Sequence, residues 1–201
     1  MNAHAQPHPK PPLREGQIIL KWWVDAMGDR SASSAKALSA RLRRANGVEA
    51  LAELAVHQLA QRLGLKPTPY DTQRLLRMVQ VLAWVREHDV RKLAERLGPG
   101  GDQPLMSALR FQSLMRAEGD ELIVALRRAV TLAKFRCNVA ALGEDLLRWN
   151  DHTRRNWSFQ YFGAALRTPK PIHLTWSRAP HEHIRPIPPA DTLPAIQPQP
   201  R

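Results

Sequence analysis

Arg110, Arg116, Arg127, Arg128 and Lys134 crowd the stretch RFQSLMRAEGDELIVALRRAVTLAK, which reads as two helices joined at Gly119. A second group, Arg41, Arg43 and Arg44, closes ARLRRANG, and a third, Arg154 and Arg155, opens DHTRRNWSFQYFGAAL. The chemistry open to such groups is capture of phosphate. A guanidinium offers a planar fork that matches phosphate oxygens and stacks on bases, and each neutralised phosphate releases condensed counterions. The plainer alternative is a solvated surface laced with salt bridges inside each helix. That alternative needs acids at facing positions, and few are present. Glu121 precedes Arg127 by six residues, which is not a facing separation, and Glu49 is the first acid after the second group.

Other reactive residues give little. His57, His88 and His152 are isolated on helical stretches, while His4, His8, His181 and His183 fall in proline-rich ends. No HExxH or cysteine-rich metal spacing occurs. Neighbouring acids such as Glu144 and Asp145 point to different helix faces and do not make a two-metal site. Without a converging acid, base or ligand set, no enzyme, metal or cofactor is implied. Cys137 stands alone in a helical pattern and reads as a small buried group. A single cysteine allows no intrachain disulfide. No run approaches membrane-spanning length, and the first residues lack the apolar segment of a signal peptide. The expectation is a soluble cytoplasmic protein with no membrane partner.

The composition agrees with a polyanion partner. Thirty Lys and Arg against eighteen Asp and Glu give a formal charge of +12 over 201 residues, and most of the cations are arginine. At 43% hydrophobic the chain can build a core, and its length suits one domain or two small ones.

The elements that must position these cations are helical throughout. Ile18, Ile19, Trp22, Trp23 and Ala26 recur at helical spacing before Gly28, and SASSAKALSARLRRANG opens on serine caps and ends at Asn46-Gly47. VEALAELAVHQLAQRLG reads as one helix, and Asp71 as the cap of TQRLLRMVQVLAWVREH. VRKLAERLG is a short helix ended by GPGGDQP, the best boundary between two halves. Beyond it, Leu105, Leu109, Phe111, Leu114 and Met115 share one side of a helix, and Leu122, Leu126, Ala129, Val130 and Ala133 form the seam of the next. Asn138 caps a helix carrying Val139, Leu142, Leu146, Leu147 and Trp149, and a last helix brings Trp157, Tyr161, Phe162 and Leu166. No useful strand alternation is present. The fold class is therefore all-α: residues 1–13 a disordered tail, 14–100 an N-terminal helical domain, 101–167 a C-terminal bundle of about four helices, and 168–201 a disordered proline-rich tail.

Stepping about 100° per residue puts Arg116 near 140° from Phe111, and Arg127 and Lys134 near 120–140° from Leu122, with Arg128 near 240°. The cations thus lie off the seam. Arg154 and Arg155 stand beside Trp157. An arginine next to an exposed aromatic can serve single strands by stacking, although tryptophan is more often interior.

At these residues a family resemblance enters. In order along the chain, ILKWW, LLRMVQVLA, RFQSLMRAEGDELIVALRRAV, NVAALGEDLLRWN and RRNWSFQYF resemble the small subunit of the type I-E CRISPR Cascade complex, the CasB family. The most specific piece is the Phe111-Gln112, Arg116, Leu126-Arg127-Arg128 run, and the similarity covers roughly residues 15–166. The resemblance implies two helical domains, no catalytic site, and two copies arranged head to tail with other Cascade subunits. It also implies a basic surface that holds crRNA paired to target DNA and the displaced strand. By position, Arg44 matches the basic end of the early arginine pair, Arg116 the arginine after the Phe-Gln turn, and Arg128 the second of the Leu-Arg-Arg pair. Near Gly119, where some members carry a further arginine, this chain has none.

A helix-turn-helix regulator is the main rival. Ala94 to Gly98 and Ala60 to Gly64 have the spacing of such a motif. A recognition helix then follows a short turn, but PGGDQP and KPTPYD stand there instead.

Overall fold

A computed structural model describes residues 14–99 and 103–166, with side chains as far as Gly163. The expected terminal tails and residues 100–102 of the Gly-Pro cluster lie outside these residues. All the described residues belong to one unit of the chain, Met1–Pro169.

Helix α1 (Glu15–Trp23) turns Ile19, Trp22 and Trp23 inward and runs into a wider π turn, Val24–Gly28, that buries Met27. Both indoles are satisfied: Trp22 donates to the Ala55 carbonyl at 2.8 Å and Trp23 to that of Leu82 at 3.3 Å. Helix α2 (Ser33–Arg44) buries Ala35, Leu38 and Leu42. Asn46 then starts α3 (Gly47–Leu51) by a reciprocal cap: its side chain accepts from the Glu49 N–H, and Glu49 accepts from the Asn46 N–H, each at 3.0 Å. The single helix expected over 48–64 is therefore two, α3 and α4 (Leu54–Arg62), with a break at Ala52–Glu53.

Helix α5 (Pro69–Leu82) begins one turn earlier than Asp71 suggested. Pro69 occupies the first turn, where a missing N–H costs nothing, and Thr68 accepts the Asp71 N–H at 3.2 Å. Residues 83–92, expected to continue the helix as far as His88, are not helical. Strand β1 (Glu87–His88) pairs in parallel with β2 (Arg136–Cys137), Glu87 opposite Arg136 and His88 opposite Cys137. Two residues per strand are too few to show as alternation. Helices α6 (Leu93–Leu97), α7 (Ala108–Arg116), α8 (Gly119–Leu132), α9 (Val139–Leu147) and α10 (Asp151–Leu166) complete the described chain, which is all-α apart from that pair.

Three close approaches lock the helices. Helix α1 lies on α9 through glycines: a Cβ at Gly16 would meet Glu144 Oε1 at 2.6 Å, and one at Gly143 would meet Ile19 Cγ2 at 2.6 Å. Helix α5 packs on α8 and α9, and Arg77 donates to the Leu146 carbonyl through Nε and Nη2 at 3.0 and 2.6 Å. Helix α6 packs on α10, where a Cβ at Gly98 would sit 2.1 Å from the Tyr161 carbonyl oxygen. Buried side chains from both sides of residue 100, Ile19 to Tyr161, form one hydrophobic cluster. Each large apolar member contributes about 1.5–3 kcal/mol.

Some expected contacts are absent. Leu105 and Leu109 are exposed: Leu105 precedes α7, and Leu109 lies about 160° round the helix from Phe111, which α7 turns inward with Leu114. Neither candidate helix-turn-helix forms. Gly98 is clamped against α10 and the next described helix begins ten residues on, while Gly64 turns at φ +64° with α5 starting at Pro69. No helix among the described residues is long and apolar enough to cross a membrane.

Candidate nucleic-acid interface

The hairpin α7–α8 buries Phe111 and Leu114 from one helix and Leu122, Leu126, Ala129 and Val130 from the other. Its outward positions carry Arg110, Arg116 and Arg128, all exposed and without an ion pair among the described residues. Arg127 differs. It is half-buried, its Nε has no hydrogen-bond partner, and burial lowers its pKa against the opposing pull of Asp120. The helical wheel placed it off the seam but not clear of the neighbouring chain.

Lys134 is exposed, but not as part of a helix. Helix α8 stops at Leu132, and Lys134 and Phe135 take the left-handed conformation at φ 56° and 59°. Their N–H groups donate to Thr131 and Val130 at 2.9 Å each, which caps α8 and turns the chain into β2. Two non-glycine residues in that region carry strain of about 1–3 kcal/mol each. The Arg86 guanidinium lies 4.2 Å over the Phe135 ring, beside Lys134. No helical periodicity could reveal Arg86, because the β1–β2 pairing brings it there.

The three arginines at the end of α2 do three different things. Arg41 grips Glu53 with Nε and Nη2, the second contact at 2.9 Å. That hydrogen bond raises the Arg41 pKa and lowers that of Glu53. Glu53 precedes α4, and the α3 turn brings it back to α2, so sequence separation hid the pair. Arg43 donates to the Ser39 carbonyl at 3.2 Å and stacks over Trp84 at 5.7 Å. Arg44 is exposed and, among the described residues, donates to the Ala40 carbonyl at 3.2 Å.

Arg30 links α2 to the chain that leads into β1. Half-buried Arg30 donates to Ser39 Oγ at 2.7 Å and to the Val85 carbonyl. Its pKa is lowered by burial first and then by the charges of Arg43 and Arg86. Arg43 over Trp84 and Arg86 over Phe135 therefore lead from the end of α2 to the residue that follows Lys134 in sequence.

The third group meets the hairpin at its other end. Arg154 bridges Glu118 and Asp151 at 3.4 Å each, and Glu118, just before α8, is two residues from Arg116. Arg155 is exposed and donates to the Asp151 carbonyl at 3.3 Å. Asp151, Arg154, Arg155 and Ser158 line an open recess of about 360 Å³. Trp157 is core, at 1% exposure, edge-on to Trp149 at 4.9 Å. Basic residues thus gather at both ends of α8, about 21 Å apart by its fourteen residues, with Arg128 between them.

Cys137 is buried and its thiol is pushed up to about 12 by burial. Among the described residues no group of three or more His, Cys, Asp or Glu is arranged to hold a metal.

Comparison with known proteins gives the family. The model of CRISPR-associated protein Cse2 matches residues 39–162. The Cse2 protein of Thermus thermophilus is 34% identical over 82 residues, 39% of this chain and 48% of that relative, so the match spans about half the relative's length. The crystal structure of CasB from Thermus thermophilus aligns with a TM-score of 0.60 at 25% identity, over 75% of this chain and 99% of that one. A chain of E. coli Cascade, in a crystal structure with a PAM-containing dsDNA target, shares the fold with a TM-score of 0.53 at 23% identity, over 76% and 96%. With the family model covering more than half of its residues, this chain belongs to the CRISPR-associated Cse2 family.

Proposed function

We propose that this chain is the non-catalytic small subunit of a crRNA-guided Cascade complex in antiviral defence, and that its arginine-rich surface stabilises the crRNA–target R-loop and the displaced strand. Family membership supports the assembly, as does the fold shared with a chain of a Cascade crystallised on duplex target DNA. The observation that carries the surface role is the leftover charge of the hairpin. Carboxylates take up several arginines elsewhere: Glu53 holds Arg41, Asp89 holds Arg96 at 2.7 Å, and Glu15 holds Arg148. Arg110, Arg116 and Arg128 have no such partner among the described residues.

Sequence reading in such complexes is delegated to base pairing, so the protein needs backbone contacts and no groove-reading helix. R-loop formation is nearly balanced, and modest phosphate contacts can tip it. In this reading Arg44, Arg116 and Arg128 face phosphate, with Arg110, Lys134 and Arg155 beside them. Arg41 and Arg154 serve it while already holding carboxylates. Arg43 and half-buried Arg127 contribute mainly field. A second copy, packed head to tail, extends the surface in the cytoplasmic complex.

Co-purification tests the assembly. A tagged chain expressed with its neighbours should bring down a multi-subunit ribonucleoprotein containing crRNA. Recovery of promoter duplex alone would return the regulator to consideration.

A further inference from the structure

Helix α10 is unlike the other long helices because it carries large aromatic side chains on opposite faces. Trp157 and Tyr161 point into the core. Phe159 is 78% exposed and Phe162 49% exposed. Taking Trp157 as zero, Phe162, Arg155, Phe159 and His152 fall at about 140°, 160°, 200° and 220°, one band opposite the buried face. Single exposed apolar residues need no explanation. Here two aromatics, an arginine and a histidine occupy one strip, and the strip is held in place. Phe162 sits edge-on to Phe111 at 6.2 Å and to Tyr161 at 4.9 Å, and His152 hydrogen-bonds with Asn156 at 3.1 Å. Arg155 follows Asp151 into the open recess at the start of the same helix.

We infer that Phe159, flanked by Arg155 and His152, is a stacking platform for an unpaired base of single-stranded nucleic acid. The inference rests on the nucleic-acid reading above and adds a contact that duplex cannot make. An aromatic interleaved with cations is the pattern by which single strands are held without sequence preference, since every base has a π face. The size of the strip argues against a protein partner. Two phenylalanine side chains present at most about 500 Å², while a stable interface needs about 800 Å² on each partner. The flanks are charged or polar, which suits a phosphate backbone better than an apolar rim. Sequence reasoning located the arginine pair but considered Trp157 as the aromatic beside it. Trp157 is interior, and Phe159, four residues beyond Arg155, takes that place.

The test uses the full chain and anisotropy titrations with a short oligothymidylate, its abasic counterpart, and a duplex of equal length. Phe159→Ala and Phe159→Leu should each weaken binding to the oligothymidylate by roughly fivefold or more, while Phe159→Trp keeps it. Neither loss should appear with the abasic strand or the duplex. Leucine retains apolar area without a π face, so wild-type affinity in Phe159→Leu would overturn stacking. So would an equal loss on all three ligands, no loss in Phe159→Ala, or a change in oligomeric state on substitution. If the unsubstituted chain binds all three ligands and Phe159→Ala changes nothing, only this inference falls. If the unsubstituted chain binds none of them, the nucleic-acid reading falls with it.

Discussion

Trp157 Nε1–H donates to Asp145 Oδ2 at 2.7 Å, which ties α10 to α9 through a carboxylate pushed up to about 6. Burial is the main cause and the charge of Glu144 adds to it; the indole bond and Lys92 act in the other direction. For an acid with a raised folded pKa, the folded state binds the proton more tightly than the unfolded chain. Stability from this group is therefore highest below its ordinary value of 3.8 and falls as pH rises to about 6. The loss is on the order of 3 kcal/mol. Asp145→Asn keeps an acceptor for the indole and removes the buried charge. It should be more stable than the unsubstituted chain at pH 7, and its stability should lack the decline between pH 4 and 6. Urea unfolding across that range decides it; parallel profiles for the two proteins would refute the buried-charge effect. Glu53 and Asp89, with lowered values, act with the opposite sign and only as pH falls further.

A second joint lies one residue away. Glu144 Oε1 accepts the Gly16 N–H at 2.8 Å and so caps the first turn of α1 from α9. Glu144→Ala should cost about 1 kcal/mol, the usual value of a lost cap. Gly16→Ala should cost a similar amount, because its Cβ would sit 2.6 Å from the same oxygen and displace it. Both substitutions remove one contact, so the double variant should lose little more than either single one. Strict additivity in chemical denaturation would show that the two residues act separately.

Arg127 and Arg128 are neighbours in sequence and differ in surroundings. Arg128→Glu should change stability by less than about 0.5 kcal/mol, as exposed substitutions do. Arg127→Glu places a carboxylate in a half-buried site near Asp120 and should lower the melting temperature clearly. Equal melting temperatures would mean that the burial of Arg127 carries no energetic weight.

The difference between these two arginines shows where sequence reading stops. Local signals were legible. Asn138 caps α9 by accepting the Ala141 N–H at 3.0 Å, the seam of α8 is buried as its spacing required, and Trp157 is interior. Wherever a third element intervenes, periodicity was silent. Arg41 finds Glu53 through the α3 turn, Arg86 reaches Phe135 through strand pairing, and Arg154 finds Glu118 across two helices. Leu109 was grouped with Phe111 and Leu114, yet it lies about 160° round α7 from Phe111 and faces outward. Adjacency showed that Glu144 and Asp145 point to different faces, but not that the Glu144 carboxylate caps α1.

R-loop lifetime in the reconstituted complex is the most direct measurement of the surface role proposed for the hairpin. Arg116→Glu and Arg128→Glu should shorten it on every target sequence and make its salt dependence shallower, with assembly and melting temperature unchanged. Arg44→Glu should add to the loss. Lys66→Glu, the same charge change on the exposed turn before α5, should leave the lifetime as it was. If the Arg116 and Arg128 reversals leave the lifetime unchanged in an intact complex, or if Lys66→Glu shortens it equally, these arginines are a solvated face and do not hold the R-loop.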